Sequence, residues 1–391
     1  MIIRSTTYKE KERILNAALL RAKPLLQKEE FTGSGVAPFI GRIGYPHVNV
    51  GFLSPQQTEE NAWKHDAPRH WANTNLRIPD VVNFRTALVN SKFQTNVKHP
   101  DKFISLAQEL ALSSKPVDID VSLQKKPTLS LTPDQYTAPM GPNAKLKKIT
   151  LASTPKISTR VQKYFDDTDA LASEALTKLY SHDIDENSLS RMLSVGAFGK
   201  QRKLVPTRWS ITATDDILAN NKLEKVRDLP INSDFLAYFG DYLGNYYLLL
   251  CLPREWSYEL FELYVQPNKL EFSTDYEGHF GRTNYAEQCA GGYYTVRLAL
   301  AEHLEELKKQ HTIIAIRFIT NEYVLPLGVW VTREATRKAL SNKPIKFSSK
   351  ELLLTYAKNI AKKKFGIELE PLLEKSKLIK EKQEKINKFF T

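Results

Sequence analysis

Cysteine is scarce in this chain: Cys251 and Cys289 are the only two in 391 residues. Two thiols cannot build a disulfide framework or a four-thiolate zinc centre. Their scarcity fits a reducing, intracellular compartment. Long apolar runs are missing too. The most apolar stretch, NYYLLLCLP at 245–253, is strand-sized, well short of the ~20 residues of a membrane span. The opening MIIRSTTYKEKERIL has no continuous apolar stretch of the kind a secretory signal needs. There is no GxxxxGK[ST] loop, which argues against a P-loop ATPase. There is no GxSxG elbow and no HExxH spacing among the eight histidines. No internal repeat recurs at a fixed period. The expectation is a soluble cytoplasmic, nucleoid-associated protein with no membrane partner.

Hydrophobic residues make up 42% and aromatics 10%, enough for buried cores. At ~150 residues per domain, the length suggests two or three domains. Lys and Arg number 56 against 44 Asp and Glu, a net +12 with pI near 9.3, which makes a polyanionic partner plausible. The charge is concentrated at one end. Residues 341–391 hold 13 Lys and 6 Glu, or +7, leaving +5 for the first 340 residues.

Residues 7–28 read as an amphipathic helix through Ile14, Ala17, Ala18 and Leu25, kinked or ended by Pro24. GSGVAPFIGRIGYPHVNVGFLSP at 33–55 reads as a hairpin or meander whose glycines serve turns. No strand–turn–helix order follows, so the likeness to a dinucleotide loop is superficial. Helices are expected at 79–90 and 102–112, and a strand where Val117, Ile119 and Val121 alternate with polar residues. Residues 122–160, rich in Lys, Pro, Thr and Ser, read as a linker or surface excursion. LASEALTKLY, capped by Asp167 or Thr168, and ENSLSRMLSV, ended at Gly196, form a helix pair beside the basic stretch GKQRK at 199–203. That pair is either a core αα-hairpin or a DNA-reading helix-turn-helix. Beyond it DFLAYF, YYLLLCL, WSYELFELYV, HTIIAIRFIT and VLPLGVWV are strand-like. Residues 291–310, REATRKAL and 352–366 are helical. The mixture predicts an α+β fold of mixed sheets with packed helices, a basic helical C-terminal region and a flexible tail. The expected regions are 1–265, 266–380 and a tail at 381–391.

QEKINKFF at 383–390 places Gln383, Ile386, Phe389 and Phe390 at fixed offsets. This resembles the peptide by which replication and repair proteins bind the sliding clamp, PCNA. One helical turn would put Ile386, Phe389 and Phe390 on one side. Gln383 would fix register in a polar pocket, and Lys382, Lys385 and Lys388 would steer the tail to an acidic surface. The alternative is a last helix whose phenylalanines dock on the protein's own core.

Several other stretches together resemble the archaeal Nre DNA repair family. They are VAPFIGRIGYPHVNVG (36–51), DAPRHW (66–71), VVNFRTALV (81–89), LALSSKPVDIDV (110–121), PMGPNA (139–144), KLVPTRWSITATDD (203–216), NYAEQCAGGYYTVRLAL (284–300) and EYVLPLGVWVTREATRKAL (322–340). The resemblance runs from about residue 30 onward and implies a role in repair of damaged DNA with a clamp-binding tail. Many members carry an N-terminal Cys-rich zinc segment. Residues 1–40 here contain no cysteine, so no metal role transfers to that end.

The block LVPTRWSITATDD offers chemistry of its own. With a helix beginning near Ser210 or Thr212, the hydroxyls of Thr207, Ser210 and Thr212 beside Arg208 would cradle a phosphate. Asp215 and Asp216 could ligate Mg²⁺ or Mn²⁺ for phosphodiester chemistry, making Arg208, Asp215 and Asp216 the catalytic candidates. Equally, Arg208 could pair with either aspartate as a structural clasp. Arg42, Lys200, Arg202, Lys203, Tyr293 and Arg297 complete the nucleic-acid candidates, mixing cations with stacking rings. Two classes of function remain: a DNA-bound repair factor held at the clamp, and a metal-dependent phosphoesterase, nuclease or nucleotide hydrolase centred on 207–216.

Overall fold

A computed structural model describes residues 2–98, 102–129, 131, 138–266 and 270–380, with side chains from Tyr8 onward. The chain forms two compact units. Unit 1 holds residues 1–221 and Val324–Trp330; unit 2 holds Lys222–Tyr323 and the chain from Val331 on. The architecture is α+β, with one mixed six-stranded sheet per unit.

Unit 1 begins with α1 (Ile2–Ala22), stopped by Pro24 in a short 3₁₀ turn. The strands β1 (Glu30–Gly35), β2 (Ala37–Ile40) and β3 (His47–Ser54) follow, then α2 (Pro68–Asn73), α3 (Ile78–Thr86), β4 (Val89–Asn96), α4 (Lys102–Leu112), β5 (Val117–Leu123) and β6 (Asn143–Leu151). The sheet order is β1-β5-β6-β4-β3-β2, antiparallel except where β4 runs parallel to β6 at Asn90↔Asn143. β5 alternates as expected: Val117, Ile119, Val121 and Leu123 are buried while Asp120 faces water. Of the hairpin or meander expected for the Gly-rich segment, the hairpin is found: β2 and β3 pair across the turn Gly41–Pro46, while β1 lies at the other sheet edge. Gly44 there has φ +84°, which an L side chain rarely adopts.

Three helices, α5 (Thr159–Asp166), α6 (Ala172–Tyr180) and α7 (Glu186–Ser194), precede the long α8 (Thr207–Arg227). α6 and α7 are a core hairpin, burying Leu176, Leu179, Leu189 and Met192. Asp185 caps α7 by accepting from the Asn187 and Ser188 N–H groups, and Gly196 (φ +66°) ends it.

Four local expectations fail. The helix expected at 79–90 ends at Thr86, and Val89 and Asn90 open β4 instead. Residues 122–160 are not a linker, because β6 lies inside the sheet between β5 and β4. α6 has no side-chain cap; Asp167 instead accepts from the Asp169 and Ala170 N–H groups in a turn ahead of it. VLPLGVWV is not a strand. Val324–Val329 is irregular, with Gly328 at φ +101°, and the next helix starts at Trp330.

Unit 2 contains β7 (Phe235–Tyr242), β8 (Asn245–Leu252), β9 (Ser257–Tyr264), β10 (Phe272–Glu277), α9 (Ala290–Leu307), β11 (Thr312–Ile319), α10 (Trp330–Ser341) and β12 (Ile345–Phe347). Its sheet order is β10-β9-β11-β8-β7-β12, with β9 and β11 parallel. All eight residues of β11 are buried, as expected of a central strand covered on both faces. The basic C-terminal region packs on this sheet through α11 (Lys350–Phe365), α12 (Glu370–Lys375) and α13 (Lys377–Lys380). Leu353, Ala357, Ala361, Leu372 and Leu378 join Leu250, Phe261 and Ile316 in one core. Its lysines stay outside, so the charge is a solvated face of a folded region.

His311 precedes β11 and is 1% exposed. Nδ1 donates to the Leu252 carbonyl at 3.3 Å, and buried Nε2 has no hydrogen-bond partner. Burial pushes the imidazole down from 6.5 to about 4. Between those values the unfolded chain binds a proton that the folded chain refuses, so stability falls as pH drops through that window. The loss approaches roughly 3 kcal/mol. His311→Leu should flatten this part of the pH dependence in urea-midpoint series. Identical slopes for both proteins between pH 6.5 and pH 4 would refute the assignment.

Candidate nucleic-acid interface

α8 starts at Thr207, earlier than the sequence suggested. Pro206 supplies the carbonyl that receives the Trp209 and Ser210 N–H groups at 2.8 and 2.9 Å. The hydroxyls that were expected to hold a phosphate are used by the fold. Thr207 Oγ1 accepts from the Ile40 N–H at 2.9 Å and meets Ser194 Oγ at 3.3 Å. Ser210 is buried and donates to the Thr207 carbonyl, and Thr212 Oγ1 donates to that of Arg208. The hydroxyl cradle is therefore corrected: these groups tie the end of β2 to the start of α8.

The acidic end of the block behaves differently. Asp215 is 1% exposed, whereas Asp216 is half-buried on the next helical position, about 100° away around the axis. Among the described residues, no group of three or more His, Cys, Asp or Glu is arranged to hold a metal ion. With the two side chains about 100° apart around the helix and Asp215 buried, the pair offers no preformed cage for Mg²⁺ or Mn²⁺. The clasp is corrected as well. Arg208 is exposed and makes no ion pair among the described residues.

What remains open to solvent is an aromatic and cationic patch. Trp209 and Tyr45 are each 45% exposed, with ring centroids 5.2 Å apart at 54°. Exposed Arg42 and Ile43 precede Tyr45 in the β2–β3 turn, and Arg208 adjoins Trp209 on α8. The Ile40–Thr207 hydrogen bond joins the two elements, so turn and helix present their side chains as one surface. Two guanidinium groups and two accessible rings can bind a phosphate backbone and stack on bases. Sequence reasoning found Arg42 and Arg208 but missed Tyr45. Its signal was an aromatic immediately before Pro46 in a Gly-flanked turn, a position with little room to bury it.

The other candidates differ in exposure and in what they bond. Lys200 is exposed beside Gly199, and Lys203 is half-buried. Arg202 donates to the Asp167 carbonyl at 2.9 Å and lies 5.4 Å from the Phe165 ring, so its fork is partly spent on the fold. Tyr293 and Arg297, expected to face nucleic acid, are buried at 0% and 2% exposure. α9 is apolar on several sides, and Arg297 enters that interior because Glu277 neutralises it there at 2.8 Å. Gln383, Ile386, Phe389 and Phe390 lie outside the described residues. Among the described residues, no helix is long and apolar enough to cross a membrane.

Comparison with known proteins adds independent information. Residues 12–269 match the family described as Archaeal Nre, N-terminal, and residues 277–389 match Archaeal Nre, C-terminal. The chain is 35% identical over 323 residues to the DNA repair protein NreA of Haloferax volcanii, covering 78% of this chain and 77% of that one. It is 32% identical over 367 residues to the DNA repair protein NreB of Archaeoglobus fulgidus, covering 92% of each. It is 34% identical over 331 residues to NreA of the same organism, covering 82% of each. No solved structure matches the chain.

Proposed function

Because the chain belongs to the archaeal Nre family, whose matched relatives are named DNA repair proteins, we propose that it is a DNA repair factor. It contacts DNA through the Arg42–Tyr45–Arg208–Trp209 surface and is held at the sliding clamp PCNA by Gln383, Ile386, Phe389 and Phe390. The observation that carries the DNA reading is the exposed Tyr45–Trp209 ring pair flanked by two unburied arginines. A soluble fold gains little from leaving two large rings and two guanidinium groups side by side in water, whereas a stacking platform needs that arrangement. The body's positive balance supports the same partner, since neutralised phosphates release counterions.

Arg42→Ala with Arg208→Ala should weaken duplex binding. Loss of two phosphate contacts should also lower the slope of log affinity against log salt by roughly 2. Trp209→Ala should cost about 1–3 kcal/mol on single strands. All three residues are exposed, so melting temperatures should stay within a degree or two of the parent. Unchanged affinity and unchanged salt slope in the double variant would remove this surface from the DNA contact.

A further inference from the structure

Unit 1 carries a separate cleft of about 350 Å³, at the small end of the ~300–1,000 Å³ range of ligand sites. Four segments wall it: β2's approach at Val36, the stretch Trp63–His70, the turn Ser113–Pro116 after α4, and the start of α7 through Arg191.

The acceptors are committed. Asp185 receives the first N–H groups of α7. Glu186, 3% exposed, takes Arg69 at 2.6 Å. Asp66 accepts from Asn187 Nδ2 at 3.1 Å and stands 3.7 Å from Arg191. Among the donors, Arg69 pairs with Glu186, and two Arg191 nitrogens donate to the Val36 carbonyl and Ser188 Oγ at 2.9 Å each, but others are unused. Among the described residues, Lys115 Nζ, the His70 ring nitrogens and the Trp63 indole N–H have no hydrogen-bond partner. Arg191 Nε is buried and also has none. Trp63 is 40% exposed, with its ring 4.8 Å from that of His70 and Lys64 Nζ 5.7 Å from its centroid.

The unused cationic donors in this wall, Lys115 Nζ and the buried Arg191 Nε, favour an anion. An indole surface in the same cleft favours a planar ring. One small ligand class carries both. We propose that this cleft binds a single nucleotide, with its phosphate on Lys115 and His70, Arg191 behind them, and its base against Trp63. The nucleotide comes either free from solution or as the phosphorylated end of a DNA strand. Only the second source rests on the DNA reading above.

The test is calorimetric titration of the full chain with deoxyadenosine monophosphate. Deoxyadenosine and inorganic phosphate serve as half-ligands, and single strands with and without a 5′-phosphate as polymer ligands. Saturable binding of the mononucleotide, well above either half, assigns the free source. Binding of the 5′-phosphorylated strand alone assigns the strand end. Lys115→Met and Trp63→Leu should each weaken the bound ligand by about tenfold or more with melting unchanged. Arg42→Ala with Arg208→Ala should leave mononucleotide binding unchanged. The proposal is overturned if neither nucleotide form binds saturably, if phosphate alone binds as tightly, or if both cleft variants bind as the parent does. Duplex binding, followed in parallel, separates the two ideas. A parent chain that binds nucleotide in the cleft but no duplex defeats the DNA surface alone, and one that binds duplex but no nucleotide saturably defeats the cleft alone.

Discussion

Replacing Phe389 and Phe390 with alanine is expected to abolish capture of the full chain by PCNA while leaving its melting temperature unchanged. Each ring contributes about 1.5–3 kcal/mol when fully buried. Losing both removes about 3–6 kcal/mol, a factor of roughly 100 or more in affinity. Ile386→Ala should give a smaller loss in the same direction, and Gln383→Ala a loss of register with the apolar contacts kept. The melting temperature discriminates between the two readings of the tail. The described core of unit 2 includes Leu353, Leu372 and Leu378, each fully buried. If the double variant melts many degrees lower, those rings belong to the protein's own core. If it stays folded and still binds the clamp as tightly as the parent, the recruiting element lies elsewhere.

Local signals were legible where one physical period ran undisturbed. β5 alternates without interruption, and α7 carries both a side-chain cap in Asp185 and a left-handed stop in Gly196. β6 was hidden for a specific reason. Its register against β5 shifts at Ser122/Leu123, so Leu146 and Ile149 lose strict period-two spacing amid four polar or basic neighbours. VLPLGVWV misled because an apolar run reports burial without reporting conformation, and Leu325 and Leu327 are indeed buried in irregular backbone. The interface was half legible. Arg208 and Trp209 are adjacent in sequence, but only the β2–β3 turn brings Tyr45 to them. The cleft was not legible as chemistry, because its walls come from four separated segments and its character depends on which donors the fold leaves unused. The run DAPRHW was nonetheless conspicuous, and it supplies Asp66, Arg69 and His70 to that wall.

Glu277→Leu is expected to destabilise the protein by about 3–5 kcal/mol, through the cost of stranding a buried charge. Glu277 is 1% exposed and Arg297 2%. Arg297 Nε donates to Glu277 Oε1 at 2.8 Å, and the Trp256 indole N–H donates to the same oxygen at 3.0 Å. A second guanidinium depends on that carboxylate. Burial pushes Arg227 down, Glu277 opposes the shift and Arg297 adds to it. Both guanidinium groups lie near Gly281, where an added Cβ would sit 3.7 Å from one nitrogen of each. Without Glu277, two like charges face each other in a poorly hydrated site. Adding Arg297→Met should restore part of the loss, giving a coupling of about 1–3 kcal/mol in a double-mutant cycle of denaturant midpoints. The double variant should bind DNA with the parent's affinity and salt slope, because a buried arginine touches no phosphate. A single variant that loses under about 1 kcal/mol would show the pair to be hydrated. A stable double variant with weakened DNA binding would return Arg297 to the interface from which its burial removes it.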